Sequence, residues 1–205
     1  MIPPVILEPK KKENILDMAA APGGKTTQIS AISSGKSYIT ACEKNKIRCD
    51  RLKYNLQKQG VGNVNVMQED ARKLSDFFSF DKILLDAPCS GSGTESVFNP
   101  KFTEELIQRS AKTQEELLTK ALKILKKDGE MVYSTCSILK EENEKVLRRA
   151  LDEVRTGYGN HFALRHDDCG KRSFAEVCFR RIVRERQKHC LPKAARVRGQ
   201  PSPCG

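Results

Sequence analysis

Apolar positions in the first 150 residues follow two alternating rhythms. Short runs rich in Ile, Val, Leu, Tyr and Met occur at 15–18, 38–41, 64–67, 82–85 and 130–133, each ending in a polar or turn residue. Runs this short and continuous predict strands buried on both faces, as in a parallel sheet. Between them the spacing becomes helical. A short segment covers 26–33. Residues 46–59 place Ile47, Leu52 and Leu56 on one face and stop at Gly60. Residues 104–125 carry Leu106, Ile107, Ala111, Leu117, Leu118, Leu122 and Leu125 and end by Gly129, and 141–151 carry Val146, Leu147 and Leu151. This alternation predicts an α/β fold of Rossmann-like type, a mostly parallel twisted sheet flanked by helices. Ligands of such sheets bind beyond the carboxyl ends of the strands.

The pattern breaks near residue 151. Residues 1–150 hold 19 Lys and 6 Arg, whereas 151–205 hold 3 Lys and 9 Arg, with all three histidines (161, 166 and 189) and four of the eight cysteines. The expected division is therefore a core over 1–150 and an Arg- and Cys-rich tail over 151–205. Within the tail, 161–165 and 175–183 read as strands, and the final stretch from 191 reads as unstructured. The tail is either an Arg-rich RNA-binding segment or a replaced, poorly folded terminus.

A net charge of +11 and a pI of about 9.3 suit a polyanionic partner, of which nucleic acid is the commonest. No apolar run approaches the roughly 18–20 residues needed to span a membrane. The N-terminal charges follow the apolar stretch, the reverse of a secretory signal. A cytoplasmic monomer is expected. The cysteines form no Cys-x-x-Cys pair, so free thiols are expected rather than disulfides or a metal site.

The chemistry gathers where the strands end. Residues 14–27 (NILDMAAAPGGKTT) run from a strand through a turn of small residues into a helix. Ala19, Ala20, Ala21, Pro22, Gly23 and Gly24 let a ligand approach the backbone, the helix start offers N–H groups to an anion, and Lys25 adds a cation. Gly24, Lys25 and Thr26 also match the end of a P-loop, although Ala19 occupies its first glycine position and Pro22 interrupts it. The KILLD segment, ending at Asp86, would then supply the magnesium aspartate. Glu43, 26 residues after Asp17, lies where nucleotide-binding α/β folds hold ribose hydroxyls. Asp70, after the third strand, either accepts from an adenine amine or caps the next helical turn. The fourth and fifth strands lead into DAPCSGSG (Asp86, Cys89) and STCS (Cys136). Two cysteines at ligand-side strand ends, flanked by hydroxyl residues, point to a shared substrate. The alternative is a pair of small buried hydrophobes.

Together, AAAPGGKT, Glu43, Asp70, DAPCSGSG and YSTCS, followed by Glu141, Glu142 and Asn143, resemble the NOL1/NOP2/Sun family of RNA cytosine methyltransferases over about residues 2–150. The family often has Cys where this chain has Ala19. The resemblance implies a class I methyltransferase fold, S-adenosylmethionine as cofactor and rRNA or tRNA as substrate. It implies that Ala19 to Lys25 surround the methionine part of the cofactor, that Glu43 holds the ribose and Asp70 the adenine, and that Asp86 lies between cofactor and cytosine. It makes Cys136 the nucleophile and gives Cys89 a part in product release. Three rivals stand beside it: a P-loop NTPase, an RNA-binding fragment without full activity, and a DNA cytosine methyltransferase with Cys89 as nucleophile. Family members carry an RNA-recognition region ahead of the core. Cofactor binding with impaired RNA affinity is therefore expected of this chain.

Overall fold

The computed structural model of the protein describes residues 1–94, 102–158, 162–165 and 178–184. Five strands run parallel: β1 (Asn14–Asp17), β2 (Tyr38–Cys42), β3 (Val64–Met67), β4 (Phe80–Asp86) and β5 (Leu125–Thr135). Two strands follow from the tail, β6 (Phe162–Arg165) and β7 (Cys178–Arg184), and β7 pairs antiparallel with both β5 and β6. The sheet order is β3-β2-β1-β4-β5-β7-β6. Chain order reverses between β1 and β4, which opens a crevice at their carboxyl ends. The strand expectations at 161–165 and 175–183 correspond to β6 and the residues of β7. The stretch from 185 onward and all three histidines lie outside the described residues.

Side-chain alternation along the strands divides the core into two layers. Ile15, Ile39, Leu84 and Val132 face Leu7 of α1 (Ile2–Leu7) and Ile29 of α2 (Gly24–Ile32). On the same side Ala41 meets Leu52 and Leu56 of α3 (Lys46–Lys58). Leu16, Ile83, Leu85, Met131 and Tyr133 face the other way, onto α4 (Glu104–Ile124) and α5 (Glu144–Tyr158). Helix α3 starts at Asn45, whose side chain accepts from the Arg48 N–H, and α4 starts at Thr103, which accepts from Leu106.

Three features depart from the sequence pattern. Helix α1 was not expected, because six residues with two prolines show no period. Pro3 and Pro4 occupy its first turn, where a missing N–H costs nothing, and it is tied down by the buried Lys82, which donates to Leu7 O (2.8 Å) and pairs with Glu130 (3.1 Å). Strand β5 begins at Leu125, earlier than the apolar run at 130–133, because Leu125 pairs with Phe80 ahead of a register shift in the ladder. The break at 151 falls inside α5, whose buried face continues through Leu151 and Val154.

Candidate active site

The turn after β1 is built from its own hydrogen bonds. Ala20 N–H donates to Cys42 O (3.0 Å), Gly23 N–H to Ala20 O (2.8 Å) and Thr27 Oγ1 to Gly23 O (2.7 Å). From α3, Asn55 holds Pro22 O (2.7 Å) and Arg48 holds Ala21 O (3.2 Å). The peptide bond between Ala21 and Pro22 is cis. Gly23 has φ 109°, and a Cβ there would lie 2.9 Å from Leu52 Cδ1, so the position requires glycine. Asp17, at the end of β1, is buried and accepts from Thr26 Oγ1 (2.7 Å), while its other oxygen has no hydrogen-bond partner among the described residues. Burial pushes its carboxyl up to about 6.

A cavity of about 270 Å³ lies over the carboxyl ends of β1, β2, β4 and β5. Its walls include Ala19, Ala21, Glu43, Asp70, Asp86, Cys89 and Cys136. Glu43 is 4% exposed; it accepts from Asn45 N–H (2.8 Å) and pairs with Arg48 (3.4 Å). Asp70 combines both readings of its position. It caps the 3-10 turn Ala71–Lys73 by accepting from Arg72 N–H, and it also lines the cavity. The Arg72 guanidinium holds its carboxyl below the usual carboxylate range. Ala20, Pro22, Gly23, Gly24 and Lys25 are not in the cavity wall. Lys25 instead pairs with Asp86 (2.6 Å), and Asp86 accepts from Ser134 Oγ on β5 (2.7 Å). A phosphate cradle needs free N–H groups and an uncommitted lysine. Here the lysine is committed to Asp86 and Pro22 interrupts the turn, which argues against the P-loop alternative.

The two cysteine loops meet. Cys89 Sγ and Cys136 Sγ lie 2.8 Å apart, both half-buried and facing the cavity. Cys42 and Cys49 are fully buried, and burial pushes the Cys42 thiol up to about 12, so these two are inert packing residues. The hydrogen bond from Cys89 lowers Cys136 to about 7, against the opposing effects of burial and of the Asp86 and Glu142 charges. The same contact and burial push Cys89 upward. One thiol therefore donates to its ionised neighbour. Alkylation of Cys136 by iodoacetamide should rise with pH and reach half its plateau near 7, since the thiolate is the reacting form; peptide mass analysis across pH checks this.

The loops are locked by residues that carry no chemistry themselves. Gly93 N–H donates to Cys136 O (2.9 Å), Ser92 Oγ contacts Ser137 Oγ (2.9 Å), and Gln114 Nε2 donates to Pro88 O (2.8 Å). A Cβ at Gly93 would lie 2.5 Å from Cys136 O. Gly93→Ala should therefore separate the loops, cost roughly 1–3 kcal/mol of stability and slow Cys136 alkylation at neutral pH. Thermal unfolding and alkylation rates test both parts. Gln114 was missed by sequence reading, although a buried Gln on the apolar stripe of α4 with Ile107, Ala111 and Leu118 was the available signal.

The sheet order, the acids at the ends of β2 and β3 and the cavity over the switch point define a Rossmann-like fold of the methyltransferase class. Within that class the chain belongs to the 16S rRNA methyltransferase RsmB/F family, which matches residues 4–183. It is 43% identical over 145 residues to the tRNA (cytosine(72)-C(5))-methyltransferase of Pyrococcus horikoshii, covering 70% of this chain and 37% of that protein. It is 40% identical over 159 residues to the 28S rRNA (cytosine-C(5))-methyltransferase of Mus musculus, covering 74% and 20%. The crystal structure of NSun6 from Pyrococcus horikoshii with SFG superposes with a TM-score of 0.75 at 34% identity, covering 89% of this chain and 50% of that one. The chain thus spans between a fifth and two fifths of the length of these two curated relatives.

Proposed function

We propose that the protein is an RNA (cytosine-5)-methyltransferase core acting on rRNA or tRNA, with Cys136 as nucleophile. The observation that carries this reading is a contacting thiol pair in the wall of a cavity that also holds Glu43, Asp70 and Asp86. Residues 1–150 form the catalytic part, and the tail completes the sheet.

The donor set fits S-adenosylmethionine. Glu43 and Asp70 are acceptors suited to ribose hydroxyls and an adenine amine, and Ala19 and Ala21 leave room against the backbone. When bound, the cofactor supplies an electrophilic methyl group. The chain's own residues prepare the base to receive it. Cys136 thiolate adds to carbon 6 of cytosine, forming an S–C bond and moving the ring electron pair toward carbon 5. Asp86, held by Lys25 and Ser134, is placed to hold the ring's polar edge and stabilise the adduct. After transfer, a base at the site takes the carbon 5 proton, the pair of that C–H bond re-forms the 5,6 double bond, and the bond from carbon 6 to Cys136 breaks with the sulfur leaving as thiolate; Cys89 assists that release. The target base must be unpaired or flipped out to reach the thiol. The basic surface binds phosphates, so affinity falls steeply with salt.

Titration calorimetry tests the reading. Saturable heat with S-adenosylmethionine and none with ATP is expected. Glu43→Ala should weaken cofactor binding by about 1.5–3 kcal/mol, roughly 10–150-fold, the range for a hydrogen bond to a charged group. Saturable ATP binding without methyl-donor binding would overturn it.

A further inference from the structure

The spacing of the two sulfurs has a structural cause outside the cysteine loops. The 3-10 turn Lys140–Glu142 follows β5 and leads into α5, and its end presents two consecutive buried side chains, Glu142 (0% exposed) and Asn143 (4%). They act on different loops. The Glu142 carboxylate accepts from Ser90 N–H (2.7 Å) and from Ser90 Oγ, the residue directly after Cys89. It also accepts from Gln114 Nε2 (3.3 Å), which itself holds Pro88 O, the residue directly before Cys89. The Asn143 side chain accepts from Thr135 Oγ1 (2.7 Å) and donates to Ser137 O (2.9 Å) and Leu139 O (2.8 Å), bracketing Cys136. The Tyr133 phenol donates to Glu142 O (2.7 Å) and fixes this turn to β5.

We propose that Glu142 and Asn143 are the positioning residues of the thiol pair: Glu142 clamps the Cys89 loop, Asn143 clamps the Cys136 loop, and because they are adjacent in the chain they set the distance between the two sulfurs. A buried carboxylate is costly unless fully hydrogen-bonded. Its three bonds here are all spent on the Cys89 loop and the helix residue that supports it, so its burial fixes that loop. Neither residue lines the cavity itself, so both act through the loops that do. Their influence on ionisation runs through geometry. Contact with Cys89 favours the Cys136 thiolate, whereas the charges facing Cys136, those of Asp86 from β4 and Glu142 from the 3-10 turn, oppose it, with Lys25 from α2 neutralising Asp86.

This opposition yields a test of sign. Glu142→Gln keeps an acceptor for Ser90 N–H and a donor for Ser90 Oγ but removes the charge. Glu142→Ala removes the clamp. The full chain carrying each substitution, together with Asn143→Ala and Ser90→Ala, is alkylated with iodoacetamide across pH, and modification of Cys136 is read by peptide mass. Glu142→Gln is expected to leave the midpoint near 7 or lower it. Glu142→Ala and Asn143→Ala should raise it by a unit or more, slowing alkylation at pH 7 by at least about fivefold. Ser90→Ala should shift it in the same direction by less, and it carries the test should the buried substitutions fail to fold. Unchanged midpoints in folded variants, with only the melting temperature lowered, would overturn the proposal. So would a rise in Glu142→Gln equal to that in Glu142→Ala. The catalytic meaning of the brace rests on the methyltransferase reading, but thiol titration does not. Loss of methyl transfer with a normal wild-type midpoint would count against that reading alone.

Discussion

Cys136→Ala is expected to abolish methyl transfer, while Cys89→Ala is expected to accumulate a covalent protein–RNA adduct. The two thiols touch, yet their environments push their acidities apart, and the proposed roles rest on that separation. Cys136 is lowered to about 7, toward the thiolate that would attack, while Cys89 is raised toward the protonated thiol. Without a sulfur to saturate the 5,6 double bond, carbon 5 stays unreactive, and a loss of at least ~10⁴-fold follows, about 5.5 kcal/mol on the barrier. Cys89→Ala has two effects. It removes assistance to release, so adduct persists. It also removes the hydrogen bond that lowers Cys136, whose acidity should return toward the ordinary thiol value of about 8.5. Adduct should then form about tenfold more slowly at pH 7 than in the wild type, and almost normally near pH 9. Denaturing gels with labelled RNA at both pH values measure this. The opposite assignment, with Cys136→Ala active and Cys89→Ala dead, would transfer the nucleophile to Cys89, as in the DNA cytosine methyltransferase alternative.

Asp86→Asn should separate thiol acidity from catalysis. The carboxylate pairs with Lys25 and accepts from Ser134 Oγ, and its charge opposes ionisation of Cys136. Asparagine can still accept from Ser134 but cannot neutralise Lys25. Removing the negative charge should leave Cys136 alkylation at pH 7 as fast as in the wild type or faster. Methyl transfer should nevertheless fall about 10²–10³-fold, the usual cost of losing one preorganised polar group at a reacting centre. Single-turnover methylation and iodoacetamide kinetics on the same preparation decide the matter. A parallel fall in both rates would reduce Asp86 to a scaffold residue, and a fall in neither would remove it from the site.

The residues differ in how legible they were. Glu43, Asp70, Asp86, Cys89 and Cys136 were readable because each lies directly after an apolar run, and β-strand ends in such folds converge on one crevice. The small-residue turn was readable as a turn, but not in its detail. Lys25 looked like a ligand for an anion and instead pairs with Asp86, a residue 61 positions away in the chain. Gln114 sits in an apolar stripe whose period points to helix and core, and only the approach of the Cys89 loop gives it partners. Glu142 and Asn143 stood at the start of the helix expected over 141–151 and in the motif set that carries the family resemblance, with no role assigned to them. Their burial follows from the packing of the 3-10 turn beneath both loops.

The amino-acid order by itself determined the alternation of strands and helices and which residues stand at the strand ends, because both depend on local periodicity. Which strand ends become neighbours was decided by the tertiary structure. β4 and β5 pair in register from Ile83 and Met131 to Asp86 and Ser134, and this brings Cys89 and Cys136, 47 residues apart, into sulfur contact. The acidity of Cys136 follows from that contact, since a thiol becomes a ready nucleophile only through the groups that surround it.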